Sequence, residues 1–278
     1  MFDAQSEADD QRHFEIWREL KSSALDKLHA ELLSSDEMRR FVAAQELHIR
    51  GERATFEFAS SLLMYSEPND REIAAFTLGQ LGTPNCPFGA VSIPLLVERL
   101  GCDNDSIVRA TAASALGHLR ASLAINELCA AASDIDKEVR SNIAFALGKI
   151  GQNAAIPTLI LLSHDNESSV VGWAILALRM LNINSEVVRN RFVELLEDED
   201  LEVVEEVICG LAQWQDKRAS PLLAELLSQT EINLDLLYAA KELGDTEILP
   251  RLLELRQEWG SESPQCLHDA ILALSNVN

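Results

Sequence analysis

The stretch Val108-Arg109-Ala110-Thr111-Ala112-Ala113-Ser114-Ala115-Leu116-Gly117 returns 31 residues later as Val139-Arg140-Ser141-Asn142-Ile143-Ala144-Phe145-Ala146-Leu147-Gly148. Outward from these two frames, the closing leucine anchors a series through the whole chain: Leu47, Leu78, Leu116, Leu147, Leu178, Leu211, Leu243 and Leu274. The spacing is 31 to 33 residues, with one step of 38. A fixed period in this range marks a repeat array, in which each unit buries its apolar face only against its neighbours. Within the frame, Val108, Ala112, Ala115, Leu116 and Leu119 recur at intervals of three and four, the pattern of an amphipathic helix.

Aligned on the anchor, each unit reads as a first helix, a short polar turn and a second helix. The expected first helices cover 24–33, 54–65, 93–100, 124–132, 155–163, 188–196, 221–227 and 248–258. Pro94, Pro157 and Pro221 fall in their first turns, where the missing N–H costs nothing. Gly51, Gly82, Gly151 and Gly244 follow anchors, where helices end. An acid stands eleven residues before the anchor in six units (Asp36, Glu67, Asp105, Asp136, Glu167, Asp200), and an arginine seven before it in four (Arg40, Arg71, Arg109, Arg140). The acid is placed to cap the second helix, and the arginine to reach the acid of its own or an adjacent unit. Despite their acid–base appearance, these residues are read as structural.

This Asp-x-x-x-Arg-x-x-Ala-Ala-x-x-Leu-Gly frame resembles HEAT repeats, specifically the short class named after phycobilisome lyases. The resemblance covers residues 24–276. It is strongest from Leu47 to Leu178 and fades where Val171, Val204, Leu236 and Leu267 replace the arginine. It implies an all-α fold, a right-handed α-solenoid of about eight helical hairpins. For function it implies little, because such solenoids serve as scaffolds, adaptors, inhibitors, chromophore lyases and DNA-repair enzymes.

Composition suits that fold. With 47% hydrophobic but only 5% aromatic residues, the chain has the alanine and leucine content of closely packed helices. Apolar stretches stop far short of the roughly 20 residues that span a bilayer. The Met1–Glu7 segment lacks a basic n-region and an apolar h-region, so no secretory signal is expected. Five cysteines without CxxC spacing point to a reducing cytoplasm, with Cys86 the one thiol in a loop. The net charge is −22, and residues 151–278 hold 22 acids against 8 bases. Such a field repels nucleic acid and anionic membranes and speeds encounter with basic partners.

Two interruptions break the repeat. The 38-residue step inserts a loop near 83–92, Gly82-Thr83-Pro84-Asn85-Cys86-Pro87-Phe88-Gly89-Ala90, with Phe88 expected at its tip. Residues 194–206 hold eight acids and no base, either a solvated turn or a docking site for lysines and arginines; calcium is disfavoured because the spacing lacks a helical-hand loop. The domain organisation expected is an N-terminal segment over 1–20, disordered to Gln11 and then a capping helix around Phe14, Ile16, Trp17 and Leu20, followed by one solenoid over 21–278.

Positions five and two before each anchor are expected to face the concave side. They include Phe76, Phe145, Trp173, Leu176, Glu206 and Tyr238. With Phe88, Glu202 and Glu205 these form the candidate partner-binding set, unless the helical phase is off by one position and they are core. No catalytic residue, cofactor site or metal site is assigned. The six histidines lack metal spacing and the iron-binding His-Glu pairs of HEAT-like hydroxylases, and GxSxG, P-loop and GxGxxG motifs do not occur.

The leading expectation is therefore a cytoplasmic, non-catalytic solenoid that binds a basic protein. It would act as an immunity-type inhibitor or an adaptor scaffold, with no cofactor, nucleic acid or membrane. The alternative implied by the resemblance is a phycobilin lyase-like chromophore-binding protein. A nucleic-acid-binding repair protein ranks below both, since the aligned face has few bases.

Overall fold

A computed structural model describes residues 4–276. All regular structure among them is helical. Helix α1 (Ala4–Leu20) precedes eight hairpins: α2 (Leu25–Glu31) with α3 (Glu37–Arg50), α4 (Arg53–Leu62) with α5 (Pro68–Gln80), α6 (Gly89–Cys102) with α7 (Ser106–His118), and α8 (Ile125–Ala131) with α9 (Lys137–Ile150). The series continues with α10 (Ile156–Leu162) and α11 (Ser168–Met180), α12 (Glu186–Glu194) and α13 (Leu201–Gln213), α14 (Ser220–Leu226) and α15 (Leu234–Leu243), and α16 (Leu249–Trp259) and α17 (Gln265–Ser275). The chain divides into two compact units, Met1–Thr158 and Leu159–Asn278. Each is an all-α solenoid stack. In the first unit α3, α5, α7 and α9 pack in succession behind α1; in the second, α11, α13, α15 and α17 do the same.

The anchors are the core. Leu47, Leu116, Leu147 and Leu211 are fully buried, and Leu78, Leu178, Leu243 and Leu274 are at most 2% exposed. The Leu-Gly pair in the frame has a packing reason. A Cβ added to Gly117 would lie 2.8 Å from the Ala146 Cα, because α7 and α9 pack backbone to backbone there; at Gly79 it would lie 2.5 Å from the Ala115 Cβ. Alanine normally gains a helix about 1 kcal/mol over glycine, but spreading two packed helices costs more. Gly117→Ala is therefore expected to lower unfolding stability by roughly 1–2 kcal/mol net in a denaturant titration. Unchanged or raised stability would contradict the close approach.

In the middle units the turns are built from a pair of acids rather than one, as at Asp103 with Asp105 and Asp134 with Asp136. Asp105 and Asp136 cap α7 and α9, accepting the N–H of Ile107 and Glu138 at 2.9 Å each. Asp36 and Asp200 cap α3 and α13, whereas Glu67 and Glu167 occupy the cap position without capping the helix through their side chains. Two of the ladder arginines, Arg71 and Arg109, reach a different acid, two residues before the cap in the next unit. Arg71 grips Asp103 with two bonds of 2.8 and 2.7 Å, and Arg109 grips Asp134 with two of 2.8 and 2.9 Å. The Oδ1 of Asp103 and Asp134 also accepts the N–H of Asp105 and Asp136, so one carboxylate shapes the turn and ties the neighbour to it. Arg40 bonds Asp70 and the Asn69 carbonyl, and Arg140 bonds the carbonyls of Asp134 and Ile135. Burial pushes Asp103 and Asp134 up, but the guanidinium and the backbone N–H outweigh it and hold both below the usual carboxylate range. In the second unit Val171, Val204, Leu236 and Leu267 take the arginine position and are all at most 3% exposed. The polar ladder there becomes apolar core.

Four expectations are corrected. The polar segment to Gln11 is helical from Ala4, continuing the helix that buries Ile16 and Leu20 against α3, with Arg12 bonded to Asp36; residues 1–3 lie outside those described. The inserted loop covers only Leu81–Phe88, because Gly89 to Ser92 already coil into α6. Pro94 consequently lies inside α6 instead of in its first turn. Phe88 is not a loop tip: it is half-buried at the start of α6 and stacks on Phe56, with ring centroids 5.2 Å apart.

Candidate partner-binding groove

Twelve positions lie five or two residues before the anchors from Leu78 to Leu243, and all except Ile73, which is buried, are half-buried or exposed. The helical phase read from the sequence therefore places them off the core. In the second unit they build a groove. Glu167 stands at the N-cap of α11, and Asp200 caps α13 by accepting the Glu202 N–H. Between them opens a space of about 430 Å³ lined by Trp173, Leu176, Asp200, Glu202, Val203 and Glu206, with Gly172 leaving its wall low. Trp173 is 41% exposed, and Tyr238, on the next second helix, is 53% exposed.

The acids of the groove are not equivalent. Glu206 is clamped by Arg179, which makes two bonds to its carboxylate, one of them 3.2 Å long. Burial pushes the Glu206 carboxyl up, against the pull of Arg179. Glu205 accepts the Asn233 side-chain N–H at 2.6 Å. Glu202 is exposed in the first turn of α13, and it is the carboxylate most accessible to an incoming cation. Cys209, beside Glu206, has its thiol pushed up to about 12, first by burial and then by that carboxylate, so it is no thiolate nucleophile near neutral pH.

The first-unit candidates do not join this groove. Phe145 is half-buried against the His118 ring, 5.4 Å between centroids, and over Gly117. Phe76 is half-buried between Phe41 and His48, at 5.5 and 5.1 Å. That cluster belongs to a second groove, among α1, α3 and α5, of which the aligned positions gave only Phe76 because α1 carries no repeat frame. Phe14 and Trp17, three apart on α1, are its sequence signal there. Among the described residues no three His, Cys, Asp or Glu side chains converge as metal ligands, and no helix is long and apolar enough to cross a membrane.

The comparisons agree with this architecture. Residues 93–179 match the family described as HEAT repeats. Protein YibA of Escherichia coli (strain K12) is 28% identical over 246 residues, covering 87% of this chain and 88% of that protein. Its X-ray structure superposes with a TM-score of 0.81 at 27% identity, over 95% of this chain and 96% of that one. The CpcE–CpcF complex of phycocyanin lyase from Nostoc sp. PCC7120 superposes with a TM-score of 0.50 at 22% identity, over 92% and 96%, and shares the fold. Over residues 93–179 the repeats are similar to the HEAT type, and with the lyase complex the chain shares the fold.

Proposed function

We propose that this chain is a non-catalytic protein-binding scaffold that engages a basic protein through the α11–α13 groove, with Tyr238 extending the contact, either to neutralise that partner or to hold it as an adaptor. The observation that carries the reading is an exposed tryptophan set among carboxylates: Trp173 and Leu176 offer apolar anchoring surface, while Asp200 and Glu202 supply the charge. The acidic excess of residues 151–278 favours fast encounter with a cation-rich surface. Of the repeated carboxylates that resemble an acid–base series, Asp36, Asp105, Asp136 and Asp200 are engaged as helix caps, which leaves these four little chemistry to perform.

Glu202 separates steering from architecture, since Glu206 also supports Arg179. Glu202→Lys is expected to slow association with the basic partner by about threefold to tenfold at low salt and to flatten its salt dependence, with the unfolding midpoint unchanged. Stopped-flow association rates across ionic strength read this directly. A rate equal to that of the native chain would reduce the acidic turn to solvated surface. A visible absorbance band on mixing with a free bilin would overturn the protein-binding reading in favour of a chromophore carrier.

A further inference from the structure

The first-unit groove holds about 660 Å³ and is walled by Phe14, Trp17, Phe41 and Phe76. Two polar side chains inside it serve no visible need of the fold. Glu46 is 7% exposed yet lines the groove, and no hydrogen bond or ion pair engages it among the described residues. His48 is 8% exposed, and its Nε2 is sealed from solvent without a hydrogen-bond partner. The Glu46 carboxylate meets only the groove's solvent, and a ring nitrogen sealed from water without a partner costs stability. Burial, aided slightly by His118, lowers His48 to about 4, so its ring is neutral at physiological pH; with the proton on Nδ1 its Nε2 is an acceptor. No lysine or arginine lines the groove to balance Glu46.

We propose that this groove is a socket for a single arginine side chain of a protein partner. Phe14 and Trp17 already hold cations of this chain over their rings, Arg18 at 5.8 Å and Lys21 at 4.6 Å, and Phe41 and Phe76 offer further aromatic surface on which a planar guanidinium stacks. Glu46 accepts its paired N–H groups. An anionic guest would meet Glu46, and a neutral aromatic one would leave that carboxylate unpaired. The socket deepens the reading of a basic partner but lies in the other unit, so the two stand or fall separately.

The test is an NMR titration of the full chain with Nα-acetyl-argininamide, beside its neutral isostere Nα-acetyl-citrullinamide. The arginine probe is expected to give saturable shifts at the Trp17 indole N–H and the His48 ring. The citrulline probe, and the arginine probe on Glu46→Gln, are expected to bind about tenfold more weakly or not at all. Phe41→Ala, at a ring already 42% exposed, provides a second variant that removes stacking with little risk to the fold. No saturable response at Trp17 and His48, or equal responses to both probes, would overturn the proposal. Shifts confined to Trp173 would overturn the socket while supporting the α11–α13 groove.

Discussion

Asp103→Ala is expected to destabilise the first unit by about 3–5 kcal/mol, the range for removing one partner of a buried charge pair. The Asp103 side chain is 2% exposed and Arg71 12%. Loss of the carboxylate leaves the Arg71 guanidinium without its main partner, weakens Arg99 at 3.6 Å, and frees the Asp105 N–H that shapes the turn. Asp103→Asn, which keeps the turn bond but not the charge, is expected to recover only part of the loss. The pH dependence has a definite sign. A carboxyl held below its unfolded value contributes stability above the unfolded pKa and loses it as pH falls through the folded one. Asp103 and Asp134 are both lowered, so the first unit is expected to loosen on acidification below the ordinary carboxylate range. The second unit has valine and leucine at the equivalent arginine positions, and its lowered carboxyls include Asp216, held by Arg218, and Asp245, held by Ser220. Hydrogen exchange followed along the chain at falling pH checks both statements: acid-labile protection in α5 and α7 that disappears in Asp103→Ala is the expected pattern. Identical acid profiles for variant and native chain would contradict it.

The second large effect is on binding. Trp173→Ala is expected to weaken the basic partner by about 2 kcal/mol or more, roughly thirtyfold in Kd, as for a central aromatic anchor. The fold should tolerate it, because the ring is already 41% exposed. Tyr238→Ala, outside the groove proper, is expected to cost less. Calorimetric titration gives both values, and a Trp173→Ala affinity equal to that of the native chain would remove the groove from the interface.

The fold was legible because its determinants are local and repeated. Eight leucines at one period mark eight hairpins, and each leucine is buried where the frame places it. The helical phase was equally readable: a period of 3.6 residues leaves positions five and two before the anchor on one stripe, and Trp173, Leu176 and Tyr238 emerge there. What was hidden depends on contacts between neighbouring units. The arginine ladder was visible, but its partners Asp103 and Asp134 were not, because the more obvious acid two residues later is consumed as a cap. Glu206 stands among the partner-binding candidates in sequence, but its clamp by Arg179, 27 residues earlier, is a contact between units that no local pattern carries. Phe88 read as a loop tip because nothing in the sequence announces its stack on Phe56. The socket at Glu46 and His48 escaped notice because half its walls come from α1, which lies outside the repeat.

Site-specific photo-crosslinking in the native cells tests the central claim most directly. A benzophenone side chain would be placed at position 173 and, as a control, at Leu161, a first-helix residue that is 60% exposed. The account predicts one discrete adduct with a basic protein from position 173, lost in Glu202→Lys and absent from position 161. No protein adduct from position 173, or the same adducts from both positions, would contradict it.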